Sequence, residues 1–149
     1  MTRPSDIKPR EDSVPGTPFA GFKVGAKLDE LRFTITPDIV EEYFASVEAD
    51  RKLYQIDDRQ AAPPNVLLPY MTCALYRNYP PIQGIVMAEV EMRFHHPIWA
   101  NEATEIVVNG EIVDKFEKKG RRYVRWKAHY KRADGQPIAE LINQFNVPE

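Results

Sequence analysis

From Gly84 onward the chain alternates apolar and polar residues with a period of two. Val86, Ala88, Val90, Met92 and Phe94 are apolar at every second position, with Glu89, Glu91 and Arg93 between them. Val124, Trp126, Ala128 and Tyr130 repeat the pattern against Arg125, Lys127, His129 and Lys131. Ala139, Leu141, Phe145 and Val147 do so again, with Asn143 as the one polar break. Strict alternation buries one face of a strand and wets the other, so Gly84 to Val147 predicts four long antiparallel strands with one covered face. Gly110, Gly120 and Asp134-Gly135 punctuate them as an expected bulge, a hairpin turn and a second tight turn.

The period changes upstream. Leu31 to Ile35 alternates as a short strand. A helix then starts with Thr36 as N-cap, Pro37 in the first helical position and Asp38, Glu41 and Glu42 near its positive end. Ile39, Val40, Tyr43, Phe44 and Val47 form its apolar stripe at three-and-four spacing. Asp50 to Ala62 reads as an irregular, charged connection. Pro63-Pro64 introduces a second helix, about Asn65 to Tyr79, in which Val66, Leu67, Tyr70, Met71, Cys73, Ala74 and Leu75 leave almost no polar side. Such a helix must be buried, and the following sheet is the one large apolar surface available to it. The expectation is an α+β fold: a long antiparallel sheet wrapped around one buried central helix, the hotdog arrangement.

Composition narrows the picture. The 149 residues suit one domain, expected over 21–149, preceded by a Pro-rich segment (1–20) expected to be extended or poorly ordered. A net charge of -2 gives no electrostatic reason for a nucleic-acid or anionic-membrane partner. Basic residues gather between Lys115 and Arg132, which reads first as a solvated hairpin and strand face. A single cysteine, Cys73, excludes an internal disulfide framework. With no membrane-length apolar run and no signal-peptide pattern, a cytoplasmic protein is expected.

Three segments then resemble the MaoC-like hydratases and dehydratases of the hotdog fold. They are Phe33-Thr34-Ile35-Thr36-Pro37-Asp38, Ala62-Pro63-Pro64-Asn65-Val66-Leu67, and Met92-Arg93-Phe94-His95-His96-Pro97-Ile98, with Arg132 to Glu140 fitting that family's last hairpin. The match spans Leu31 to the C-terminus and is closest to the non-catalytic N-terminal half of double-hotdog members. The resemblance implies acyl thioesters, carried by coenzyme A or an acyl carrier protein, with water added to a 2-enoyl group or removed from a 3-hydroxyacyl group. No cofactor and no metal are expected. The resemblance also implies assembly as a homodimer, or as a heterodimer with a second hotdog subunit.

Active members carry an Asp and a His in an Asp-x-Asn-Pro-x-His segment, one group to activate water and one to deliver a proton. Here Asp50 can be laid on the Asp, Lys52 and Leu53 replace Asn and Pro, and Gln55 stands where the His belongs. The first reading is therefore a non-catalytic or degenerate subunit that shapes an acyl pocket. The alternative is an active hydratase, dehydratase or thioesterase using Asp50 and Tyr54, with Asp57 or Asp58 as further carboxylates. A third reading is a homodimeric binding protein for a lipid or aromatic acid. Pro64, Asn65, Val66 and Tyr70, at the start of the central helix, are the candidate substrate-binding residues. There the N–H groups of Asn65 and Val66 could polarise a thioester carbonyl. His95 and His96, adjacent in a strand, should face opposite ways and read as structural, and His129 reads as exposed. Cys73 reads as core packing, and no histidine or cysteine cluster has metal-ligand spacing.

Overall fold

The computed structural model of the chain describes residues 3–7 and 15–148. Strand β1 (Leu31–Ile35) leads directly into helix α1 (Pro37–Ser46). The Thr36 hydroxyl accepts the Ile39 N–H at 3.4 Å, and Pro37 takes the first helical position, where a missing N–H costs little. Ile39, Val40 and Phe44 are buried, whereas Val47, expected on the same stripe, is exposed. The helix has ended by then: Val47 caps it, and Glu48 turns the chain away at a φ of 50°.

The central helix is shorter than the apolar run predicts. Pro64–Leu67 forms a 3-10 turn, and the α-helix proper, α2, covers Pro69–Asn78. Pro69 is the reason. It has no N–H to give to the Asn65 carbonyl, which instead accepts the Leu68 N–H at 2.9 Å, so the first turn tightens. Beyond it Tyr70, Met71, Cys73, Ala74 and Leu75 are buried. The Cys73 thiol lies 3.5 Å from the Pro69 carbonyl, and burial pushes its pKa up, as a packing role requires.

Two small strands, β2 (Gln55–Ile56) and β3 (Arg59–Gln60), precede α2. Strands β4 (Val86–Phe94), β5 (Thr104–Lys118), β6 (Arg121–Arg132) and β7 (Pro137–Val147) follow it. Among the described residues the main sheet has five strands in the order β1-β5-β6-β7-β4, and its pairs are all antiparallel. Its inner face carries Ile112, Val124, Trp126, Ala128, Tyr130, Leu141 and Phe145, in one apolar cluster with α2. This is the expected α+β architecture, a sheet wrapped around one buried helix.

Three local expectations change. The bulge falls between Ile112 and Asp114, not at Gly110. Gly110 pairs regularly with Ala128 and is small for another reason: a Cβ there would stand 3.1 Å from the Lys127 carbonyl oxygen and 3.3 Å from the Trp126 ring. A second bulge, between Met87 and Glu89, shifts the phase of β4, so that Met87 and not Val86 lies opposite Phe145. Asn143, the polar break in β7, explains that shift. It is buried, accepts the Trp126 indole N–H at 2.8 Å and donates to the Glu89 carbonyl at 2.9 Å, beside the bulge. The connection from Asp50 is ordered as a 3-10 turn, Arg51–Tyr54, followed by the β2–β3 hairpin.

The N-terminal segment, expected to be extended or poorly ordered, is instead docked over part of its length. Pro4–Asp6 forms a turn, Ile7 is buried in the core cluster, and Arg3 bonds Glu42 of α1. The apolar side chain of Ile7 supplies the burial that a Pro-rich composition does not advertise. The parts of that expectation over 1–2 and 8–14 lie outside the described residues.

Candidate acyl-binding pocket

The segment from Asp50 to Pro64 wraps one end of the central helix. Asp50 caps the turn at Arg51–Tyr54, its carboxylate accepting the Lys52 N–H at 3.0 Å. Arg51 forms a two-point ion pair with Glu41 of α1 and lies 4.4 Å over the Phe44 ring. That pairing holds the Glu41 carboxyl below its usual range. Tyr54 meets the same Phe44 edge-on at 6.0 Å. Asp57 and Asp58 then make the hairpin turn with φ values of 47° and 62°, a left-handed pair that Asp tolerates. The returning chain is tied down by the Ala61 N–H on the Tyr54 carbonyl at 2.9 Å and the Ala62 N–H on the Ile98 carbonyl at 2.7 Å. These bonds carry the hairpin across to the segment that follows β4.

Between the two lies a half-open cavity of about 270 Å³. Leu53, Tyr54 and Ile56 form one wall, Ala62, Pro64 and Leu67 the base of the helix, and Phe94 to Ile98 with Ile138 the sheet side. The lining is apolar apart from Tyr54, His95 and His96, and it includes no carboxylate. His95 places Nε2 3.5 Å from a Glu140 oxygen, and the other Glu140 oxygen lies 3.5 Å from His129 Nδ1. His96 takes the opposite direction, with Nδ1 2.7 Å from the Pro137 carbonyl oxygen. Both residues follow the end of β4 and both line the cavity, with their rings on different partners.

The candidate residues therefore separate. Tyr54 and Pro64 meet in the cavity, while Asp50 is not among its lining residues. Asn65 is exposed at its base, and the Val66 N–H is taken by the Pro63 carbonyl at 3.0 Å. Val66 and Tyr70 face the other side of the helix start, in a groove of about 360 Å³ shared with Arg3, Pro4, Ile39 and Tyr43. There Tyr70 stacks on Phe33 at 3.8 Å, and burial raises its phenol above the ordinary range. Sequence reasoning did not single out Phe94, His96, Ile98 or Ile138 as lining. No local pattern marked His96: it lies beyond the end of β4, and its contacts with Pro137 and Ile138 bring it to the cavity. Among the described residues no three His, Cys, Asp or Glu side chains are grouped to hold a metal ion, and no helix is long and apolar enough to cross a membrane.

No family model matches this chain, and no curated protein sequence matches it. Solved structures do. The (R)-hydratase PhaJ1 of Pseudomonas aeruginosa, unliganded, is similar with a TM-score of 0.68 at 18% identity, over 90% of this chain and 87% of that one. A MaoC-like dehydratase from Rhodospirillum rubrum gives 0.70 at 16% identity, over 89% and 97% of the two chains. The C-terminally truncated HadBC (3R-hydroxyacyl-ACP dehydratase) complex of Mycobacterium tuberculosis gives 0.67 at 17% identity, over 83% and 96%. Identities this low establish the fold and leave activity to the site. The chain has the hotdog fold, in the form shared with these MaoC-like dehydratases and (R)-hydratases.

Proposed function

We propose that this chain is an acyl-thioester-binding subunit, related to (R)-specific enoyl-thioester hydratases and 3-hydroxyacyl-thioester dehydratases, which shapes a pocket without supplying the catalytic carboxylate. One observation carries the reading. An apolar cavity stands at the start of the central helix, and the carboxylate offered for catalysis, Asp50, is outside its lining and holds its own turn through Lys52. A general base must reach its proton within hydrogen-bond distance. An apolar cavity with few polar groups suits an acyl chain whose chemistry is done by a partner. The hydratase and dehydratase names of the structural neighbours agree with that ligand class.

The partner is a second hotdog subunit, identical or different, added along β4. That nine-residue strand closes the sheet order, and among the described residues no strand pairs with its outer edge. Val86, Met87 and Phe94 are exposed along it. A long apolar edge of this kind is an aggregation hazard unless another strand covers it. HadBC, a complex by its name, is a neighbour consistent with such an assembly.

Affinity purification from the native host tests the reading, with mass spectrometry of stoichiometric partners and an enoyl- and hydroxyacyl-thioester assay of the complex. Asp50→Asn is expected to leave turnover within about twofold. A loss of several hundredfold, roughly 3–4 kcal/mol of transition-state stabilisation, would make Asp50 the base and this chain the enzyme.

A further inference from the structure

The cavity holds one polar group whose chemistry its own hydrogen bond defines. His96 Nδ1 lies 2.7 Å from the Pro137 carbonyl oxygen. A carbonyl oxygen can only accept, so Nδ1 carries the proton and the neutral ring keeps its lone pair on Nε2. The bond also fixes the ring plane, because Pro137 opens β7 and the neighbouring His95 N–H is held by the Ile138 carbonyl at 2.8 Å. His95 also lines the cavity, with its Nε2 directed to Glu140 at 3.5 Å. Around His96 the lining is Leu67, Phe94, Ile98 and Ile138, which offer a ligand hydroxyl no partner, and Tyr54 stands on the hairpin wall.

We infer that His96 is a specificity-determining residue of this pocket: its Nε2 accepts a hydrogen bond from the hydroxyl of a bound hydroxyacyl group. The inference rests on the acyl-thioester reading and adds to it which acyl state is preferred. A saturated or 2-enoyl chain has no donor to offer and leaves Nε2 unpaired. A hydroxyacyl chain pairs it, replacing the water open to the exposed His96 ring in the unliganded protein, where a saturated chain displaces that water without a substitute. The subunit therefore holds the hydrated form of the substrate more tightly than the saturated one.

The test is calorimetric titration of the full chain, with any partner that co-purifies, using 3-hydroxybutyryl-CoA against butyryl-CoA and 3-hydroxyoctanoyl-CoA against octanoyl-CoA. The hydroxyacyl ester should bind about tenfold more tightly in at least one pair, the worth of one hydrogen bond in a half-open site. His96→Phe should abolish that preference while leaving the saturated ester within about twofold, and His96→Gln, which keeps an acceptor, should retain part of it. A merely structural histidine would lower both affinities together. Equal binding of the two esters by the unaltered protein in both pairs overturns the role of His96 and leaves the thioester reading standing. Failure of all four esters to bind overturns the thioester reading as well.

Discussion

Strands β4 and β6 carry the same alternation and meet different fates. In β6 the apolar positions Val124, Trp126 and Tyr130 are each 0% exposed. In β4 Val90 and Met92 are only half-buried, and Met87 and Phe94, on the same face, lie open. Alternation identifies the face that turns toward the core. How deeply that face is covered depends on what packs over it. β6 lies between β5 and β7 over the central helix, whereas β4 closes one edge. Edge position alone does not decide the matter: β1, at the other edge, buries Leu31, Phe33 and Ile35, with Phe33 stacked on Tyr70 of the central helix.

The largest expected effect tests that contrast directly. Trp126→Ala should cost about 3–5 kcal/mol in chemical denaturation, because it opens a cavity and removes the donor to Asn143. Met87→Ala on the edge should cost under about 1 kcal/mol and weaken association in sedimentation instead. Equal losses would mean that β4 is as buried as β6 within one chain. Asn143→Ala comes next, at about 1–3 kcal/mol, since it strands the buried Trp126 N–H and releases the Glu89 carbonyl beside the edge bulge. Its association should fall as well if that bulge aims the edge at a partner.

Tyr130→Phe should have the smallest effect and the opposite sign. The buried Tyr130 hydroxyl has no hydrogen-bond partner among the described residues, so removing it should stabilise by up to about 1 kcal/mol. Burial also raises this phenol above its ordinary range. The sign follows: the folded phenol stays neutral while the unfolded one ionises near pH 10, so its contribution is complete below that pH and is lost as the pH rises through it. The variant should show a shallower fall in stability above about pH 10, measured by urea unfolding across the alkaline range.

Much of the fold was legible because it depends on neighbours in the chain. Thr36-Pro37 starts α1 through a local cap, and Lys119-Gly120 makes the β5–β6 turn with φ values of 52° and 74°. The candidate site was legible only in part. Tyr54 and Pro64 were singled out and meet in the cavity, whereas Asp50 was set beside them by the resemblance and turns to its own backbone. His96 was read as structural, and it is structural through Nδ1; its place in the pocket depends on residues far away in the chain.

The element types, the order of helix then strands, the turns and the core-facing side of β6 and β7 were legible in the residues alone, since a period of two, a period of 3.6 and a cap are local quantities, whereas the bulge that turns Met87 inward in place of Val86 was not. Only the tertiary structure decided which polar groups converge. The hairpin is sewn to the segment after β4 by Ala62 on Ile98 and Ala100 on Gln60, and β4 is hung on Ile138 through His95. Those bonds join segments more than thirty residues apart, and no local pattern encodes a contact whose partner is that distant.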